Sequence, residues 1–416
     1  MEKPQRITAQ HRARFAALAL LACFATMLPL PSPGDPQRPR IGLVLGGGGA
    51  RGIAHIGVLK VLEEMRVPIA CISGTSMGSL VGGVYAAGVP IDEITERLSA
   101  IDWTDLFNDD PPRVEKPFHA KRDDYENLFR LELGQRGTDL LLAPGTTAGY
   151  KFEFLLREMA AGAGNFADQD FDRLPIPYRA MATNIEDGTM KEFRHGDLVK
   201  VMRASMSVPG AIAPVEIDGA LYVDGGLLQN LPVAAAREAC ADQVIVVNVG
   251  SGLLPRDELN TVFGISLQMI NVLMEQNVRQ SIASLGPDDV LIEPVLGNFS
   301  SANFSGAMPL IEIGEEAARG QADALRQFSV SDAEYRAWRA SVVARLPTVP
   351  PVTEVRVATQ GSRVNPAVIE RELAEVPGVD LRGQPETDFS LENLNNRLEQ
   401  VYGRGDFERM DYQIID

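Results

Sequence analysis

The sequence predicts an α/β protein built on a largely parallel sheet, and three observations carry that expectation. Apolar runs at 40–45, 67–73, 177–183, 221–223 and 243–249 read as short buried strands. Helical patterns separate them, which is the alternation a parallel sheet requires. Glycine-rich turns, Gly46 to Gly49 and Gly74 to Gly78, follow the first two runs and each opens a helix. The stretch 40–325 suits one large domain of roughly 285 residues.

Taken in order, the chain begins with Lys3, Arg6, Arg12 and Arg14, then an apolar run from Phe15 to Leu30. A basic segment followed by an apolar one too short for a comfortable membrane span reads as an export signal over 1–30. Residues 31–39, rich in proline, form a linker. Leu20-Leu21-Ala22-Cys23 loosely resembles a lipoprotein cleavage box, but Leu21 fits it poorly and the apolar run continues past Cys23, which argues against lipidation.

Arg40 to Leu45 is the first strand. The loop Gly46-Gly47-Gly48-Gly49-Ala50-Arg51-Gly52 then opens a helix whose apolar face is Ile53, Ile56, Val58, Leu59, Val61 and Leu62. Glycines before a helix leave backbone N–H groups unpartnered, with the helix dipole aimed at the same point. The loop is therefore an anion hole, suited to a bound phosphate or to the oxyanion of acyl transfer. Gly47-x-Gly49-x-x-Gly52 also satisfies the dinucleotide fingerprint. That fingerprint wants an acidic residue about 20 positions on, at the end of the second strand. Ser73-Gly74-Thr75-Ser76 stands there instead, and Ile53 occupies the lysine position of a P-loop. The oxyanion reading is preferred, with a nucleotide- or phosphate-binding protein using Gly46–Gly52 as the alternative.

The second strand, Val67 to Ile72, runs into Gly74-Thr75-Ser76-Met77-Gly78. A Gly-x-Ser-x-Gly between strand and helix makes a tight turn that throws the serine hydroxyl outward. A serine nucleophile needs a base. The chain's histidines are His11, His55, His119 and His195, and none follows Asp224-Gly225-Gly226, the carboxylate that ends the strand Ala220 to Val223. The Ser…Asp…His order of an α/β-hydrolase is thereby excluded. Two arrangements stay open: Asp224 acting directly on Ser76, or a triad using His119 or His195 with an earlier acid. An isolated Asp-Gly-Gly also reads as a plain turn.

These motifs resemble the patatin-like phospholipases. The resemblance covers about residues 40–325 and rests on the glycine loop with its arginine, the Gly74–Gly78 elbow, the segment Arg203-Ala204-Ser205-Met206-Ser207-Val208-Pro209-Gly210, and Asp224-Gly225-Gly226. It implies a three-layer sandwich with a mostly parallel central sheet. It also implies a Ser76–Asp224 dyad, an oxyanion hole from the amides of Gly47, Gly48 and Gly49, and support of that loop by Arg51. Acyl-ester hydrolysis of phospholipid or related lipid follows, with no cofactor and no metal. Asp224 should then have a raised pKa from burial, since a free aspartate near 4 is a weak base.

Other segments are less diagnostic. Residues 101–150 scatter Trp103, Phe107, Phe118, Tyr125 and Phe129 among prolines and charges, reading as a packed insertion in preference to a lid. A helix over 258–285 is apolar on most sides; core packing is expected, with an acyl-chain groove or membrane-contacting face as the alternative. Residues 326–351 read as a linker helix (Ala333 to Arg345) and a proline-rich segment. Residues 352–416 show a strand, helices at 366–375 and 391–402, and a strand-like run from Phe407 to Ile415. This order resembles a polypeptide-transport-associated (POTRA) module, apparently incomplete at Asp416. That resemblance implies the passenger of a type V secreted protein, tied to an outer-membrane β-barrel, so that the protein is exported to the cell surface, outer membrane or medium of a Gram-negative bacterium.

Composition sets the remaining bounds. A net charge of −17, with no basic run, argues against nucleic acid and against purely electrostatic docking to anionic lipid. Contact with a membrane should rest on apolar groups. Beyond the signal only Cys71 and Cys240 occur; in apolar surroundings they are expected as buried free thiols.

Overall fold

The computed structural model describes residues 38–108, 133–136, 139–142, 145–163, 167–347, 356–359, 364–373 and 391–402, together with Phe407, Met410 and Tyr412. The export signal, Cys23 and most of the linker before residue 38 lie outside the described residues, as do 109–132 with Phe118, His119, Tyr125 and Phe129.

Strand β1 (Ile41–Leu45) leads through a 3-10 turn (Gly49–Ile53) into α1 (Ala54–Glu64), and β2 (Ile69–Thr75) leads into α2 (Met77–Ala86) and α3 (Ile91–Ala100). After α4 (Tyr150–Met159) come β3 (Tyr178–Asn184), β4 (Met190–Phe193), α5 (Leu198–Ser205) and the hairpin β5 (Val215–Ile217) and β6 (Ala220–Asp224). Then follow α6 (Val233–Ala239), β7 (Gln243–Val247), α7 (Val262–Ala283), β8 (Val290–Ile292), α8 (Leu310–Gly320) and α9 (Asp332–Val343). Two further helices are α10 (Pro366–Leu373) and α11 (Leu391–Tyr402).

The eight-stranded sheet has the order β5-β6-β3-β2-β1-β7-β8, with β4 on the other edge of β3. The pairs β3/β2, β2/β1, β1/β7 and β7/β8 are parallel, while β4, β5 and β6 join antiparallel. All five expected strands are present. The second extends through Gly74 and Thr75 because Ser73 and Gly74 pair with Val44 and Leu45 of β1. Strands β4, β5 and β8, of three or four residues each, carry no run long enough to stand out in the sequence.

Side-chain alternation divides the core between two faces of the sheet. Leu43, Leu45 and Ile72 join α1, α2, α3 and α8 on one face. Val44, Cys71, Val244 and Val246 face α6 and the C-terminal half of α7 (Val278, Ile282) on the other. Helix α1 is held down by α8, where Gly57 and Gly314 each lie against the partner helix's backbone with no room for a Cβ.

Three expectations change. Cys71 and Cys240 are joined in a disulfide, Cα to Cα 6.1 Å, and are not free thiols. They lie 169 residues apart, and only the fold brings β2 beside the end of α6. The N-terminal half of α7 is not core: Ile265, Met269, Val272 and Leu273 are exposed. The helix read as linker is docked on the domain. Trp338 Nε1–H donates to the Ile69 carbonyl at 3.2 Å, Val342 is buried, and Arg66 pairs with Asp332 at 3.2 Å. Tyr335, Trp338 and Val342 form a stripe at helical spacing that the charges around them disguise.

Helices α10 and α11 also pack on the domain: Ile369, Leu373, Leu394, Leu398 and Val401 bury Tyr150 and Phe154 of α4. Residues 356–359 form no strand, and most of 407–415 lies outside the described residues. Within the segment 101–150, Trp103 and Leu106 are buried, Trp103 stacks on Phe304, and Phe107 packs against the same ring at a tilt.

Candidate active site

The site is assembled by strand β3. On one edge of β3, Thr75 at the end of β2 lies opposite Met181, and Asp224 at the end of β6 lies opposite the next residue, Ala182. The other edge is taken by β4, which pairs with these same residues through Glu192 and Lys191. Strand β2 runs parallel to β3 and β6 antiparallel to it, so the two C-terminal ends meet head-on along a single edge. Ser76, one residue past Thr75, is thereby delivered to Asp224. Their 148-residue separation (224 minus 76) is closed by the sheet itself.

Ser76 has φ 53° and ψ −125°, a left-handed backbone that a serine adopts only under constraint. The constraint is visible on both sides of the turn. Gly78 lies against the Leu45 carbonyl with no room for a Cβ, and a Cβ on Gly47 would lie 2.9 Å from that of Ser76. The amide of Ser76 donates to Ser205 Oγ at 3.0 Å. Helix α2 begins at Met77, so its positive end points at the hydroxyl.

Asp224 is buried, 6% exposed. Its Oδ1 accepts from the Gly226 amide at 2.7 Å, and the Ser76 hydroxyl donates to its carboxylate. Burial pushes its pKa up from 3.8 to about 6; the hydrogen bonds from Ser76 and Gly226 pull the other way but do not cancel it. An aspartate so placed is a far better proton acceptor near neutrality than a solvated one. The Asp224 backbone is fixed at both ends, its amide donating to Ser207 O at 2.9 Å and its carbonyl accepting from Thr183 Oγ1 at 3.0 Å.

The glycine loop lies against Ser76. Gly47 donates its amide to Asn230 Oδ1 at 3.1 Å, and its carbonyl accepts from Asn230 Nδ2 at 3.2 Å. This two-point clamp commits the Gly47 amide, so in this conformation the open donors are those of Gly48 and Gly49. Among the described residues neither of those amides has a protein acceptor. Arg51, in the same loop, is turned onto backbone carbonyls. Its guanidinium donates to the carbonyls of Val249, Gly250, Gly297 and Phe299 at 3.0 to 3.2 Å, lacing the loop to two neighbours.

The histidines fall elsewhere. His55 is fully buried and neutral, its pKa lowered to about 4 by burial, and its Nε2–H donates to the Gly46 carbonyl at 2.8 Å. His195 stands on the surface beside Asp168 with 70% of its side chain exposed. His119 lies outside the described residues.

Sequence reasoning missed several contributors. Asn230 carries no local signature, sitting in the loop between the Asp-Gly-Gly turn and α6. Asn277, on α7, accepts from the Asn230 amide at 2.8 Å and donates to the Gly226 carbonyl at 2.9 Å, tying the loop after Asp224 in place. Ser205 and Ser207 belong to a motif whose side chains have no role legible in the sequence; the structure has them hold Ser76 and Asp224 by their backbones. Arg203, buried one helical turn before Ser207, donates to Ser207 Oγ at 2.6 Å and to the carbonyls of Ala148 and Ala213.

Among the described residues no group of acidic, histidine and cysteine side chains is arranged to hold a metal ion. Residues 43–237 match the patatin-like phospholipase family. An uncharacterized NTE family protein of Mycobacterium tuberculosis is 38% identical over 213 residues, which is 51% of this chain and 49% of that protein. Lysophospholipase NTE1 of Cryptococcus neoformans is 35% identical over 233 residues, 54% of this chain and 12% of that protein. Among solved structures, human GIVD cytosolic phospholipase A2 aligns over 82% of this chain and 65% of that one at 12% identity, with a TM-score of 0.36. The chain thus spans about half the length of the first of these relatives and a small part of the second. It carries a patatin-like phospholipase domain with NTE-family homologues, on an α/β fold with a mostly parallel central sheet.

Proposed function

We propose that this protein is a lipolytic acyl hydrolase of phospholipase A or lysophospholipase type, acting through Ser76 and Asp224. The observation that carries the reading is the head-on meeting of β2 and β6, which places the serine hydroxyl on a buried carboxylate whose pKa is raised to about 6. Ser76 attacks the ester carbonyl as Asp224 takes its proton. The tetrahedral oxyanion forms toward the open amides of Gly48 and Gly49, each such donor typically worth about 3 kcal/mol of barrier. Asp224 returns the proton to the departing alcohol, leaving an acyl-serine. Water, deprotonated by the same carboxylate, attacks the acyl-serine and releases the fatty acid and free serine.

The phosphate-cradle alternative is disfavoured by the loop's commitments. Gly47 is clamped by Asn230, Ala50 donates to Ser301 O at 2.8 Å, and Arg51 is turned onto backbone carbonyls. Export is part of the proposal, supported by the basic and apolar N-terminal segment and by a disulfide, a bond that persists in oxidising compartments. The helices at 366–373 and 391–402 support a POTRA-like module, and with it the role of a type V passenger linked to an outer-membrane barrel.

The test is fatty-acid release from mixed phospholipid micelles by the full chain beside Ser76→Ala and Asp224→Asn. Loss of activity by orders of magnitude in both variants is expected. Activity retained by Ser76→Ala, or a wild type that releases no fatty acid and binds a nucleotide instead, overturns the reading.

A further inference from the structure

His55 is a buried titratable group that the reaction above leaves unused. It is the second residue of α1, fully buried, and its Nδ1 has no hydrogen-bond partner among the described residues. An orphaned buried acceptor destabilises a fold. A leucine or methionine would fill the same space without that cost, so the other ring nitrogen has to account for the residue. Nε2 lies 2.8 Å from the Gly46 carbonyl. A carbonyl can only accept, so the proton sits on Nε2 and the ring donates.

From that carbonyl a chain of hydrogen bonds runs toward Ser76, each group accepting at one end and donating at the other. The peptide that carries the Gly46 carbonyl also carries the Gly47 amide, which donates to Asn230 Oδ1 at 3.1 Å. Nδ2 of the same side-chain amide donates to the Gly47 carbonyl at 3.2 Å. The peptide of that carbonyl ends in the Gly48 amide, which has no protein acceptor among the described residues. Hydrogen bonds aligned in this way polarise one another, and a planar amide passes the effect from its oxygen to its N–H. The chain also lies close to the turn it serves. The Gly46 carbonyl oxygen is 2.6 Å from where a Cβ on Gly78 would stand, and a Cβ on Gly47 would lie 2.9 Å from that of Ser76.

We propose that His55 is a positioning residue for ester hydrolysis, the first donor of a chain that orients the Gly48 amide and strengthens it as a donor to the oxyanion. The proposal rests on the hydrolase reading above and adds to it the group that holds the oxyanion donor. No proton leaves the imidazole in this role. Burial keeps the ring neutral, with its pKa lowered to about 4, and the ring serves by holding one bond.

The test uses the full chain with p-nitrophenyl butyrate as substrate and an alkyl trifluoromethyl ketone as oxyanion probe. Ser76 Oγ bonds to the ketone carbon, the carbonyl pair moves onto oxygen, and the serine proton passes to Asp224. The adduct's oxyanion then faces the Gly48 amide. His55→Leu removes the first donor and should lower kcat about tenfold or more with KM nearly unchanged, the ketone's Ki rising in step. His55→Gln keeps an N–H at similar reach and should recover most of both. In an Asn230→Ala background the chain is already broken, so His55→Leu should cost less than about threefold more. Equal losses for leucine and glutamine, or a leucine loss that adds in full to that of Asn230→Ala, overturn the proposal and leave His55 as a packing residue. So does a rise in KM with kcat unchanged. Should the leucine protein not fold, NMR of histidine-labelled wild type decides. The His55 Nε2–H resonance should move when the ketone adduct forms, and an unmoved resonance overturns the chain. A wild type that neither hydrolyses the ester nor binds the ketone overturns the hydrolase reading, and the proposal with it.

Discussion

Replacing Asp224 by asparagine should stabilise the protein while abolishing its activity, and the pH dependence of that gain is calculable. The carboxyl titrates at about 6 in the fold against an ordinary value of 3.8. Between those values the folded protein holds a proton that the unfolded chain has lost, so stability falls as pH rises through that window. Above it the ionised carboxylate costs about 3 kcal/mol, from 1.36 kcal/mol per tenfold change in ionisation. Asparagine keeps the shape and can still accept from the Gly226 amide, yet never ionises. The assay is urea unfolding of both proteins at pH 3.5 and pH 8 with the disulfide intact. The difference between them cancels every other titrating group to first order. The Asp224→Asn protein should match wild type at low pH and exceed it by up to about 3 kcal/mol at pH 8. In parallel, wild-type kcat/KM should rise with pH through about 6 as the base ionises. An asparagine protein that is less stable at pH 8, or an activity profile flat between pH 5 and 7, would refute a buried, destabilised base.

Further outcomes follow from other contacts. Asn230→Ala frees both ends of the Gly47 peptide, leaving a buried N–H and C=O unpaired; kcat should fall about 10- to 100-fold with little change in KM, and the urea midpoint should drop by an amount equivalent to about 1 to 3 kcal/mol. Reducing the Cys71–Cys240 disulfide releases a link between positions 169 residues apart and should cost about 2 to 5 kcal/mol, read as a lower melting temperature in dithiothreitol that is absent from a Cys71→Ala/Cys240→Ala protein.

The parts of the site legible in the sequence are those in which backbone geometry forces a residue type. Gly74, Gly78 and Gly47 can be read because the turn at Ser76 leaves no space for a side chain. Asp224 stands out because it ends a strand before two glycines and no histidine follows it, which excludes the Ser…Asp…His order. The strands β1, β2 and β7 are legible because they are buried on both faces and so read as largely apolar runs, whereas β3 is buried despite Arg179 and Thr183. The remainder depends on contacts between distant segments. Asn230 and Asn277 look like ordinary polar residues until the fold lays α7 across the loop after Asp224. The cysteine pair misleads because apolar neighbours suit a thiol and a disulfide equally, and only tertiary proximity distinguishes them. Helix α7 misleads because an apolar stripe implies burial without specifying by what.

What the site stores also explains how it is held. A serine at φ 53° and an ionised carboxylate in a buried pocket are both unfavourable, the first by about 1 to 3 kcal/mol, and neither would persist on a flexible loop. Both are gripped by one short segment at the end of α5: Ser205 Oγ takes the Ser76 amide and the Ser207 carbonyl takes the Asp224 amide. That segment is anchored in turn. Asp197 caps the start of α5 and is buried against Arg157, which also pairs with Glu153 on α4. Arg203 ties the far end of α5 to Ala148, just ahead of α4, and to Ala213. Helix α4 is the surface on which α10 and α11 pack, and the Arg157 guanidinium lies 5.3 Å over the Tyr412 ring. A continuous run of packed and ion-paired groups therefore joins the C-terminal helices to the backbones of Ser76 and Asp224. The strain at Ser76 is sustained by residues well beyond the motifs that announce it.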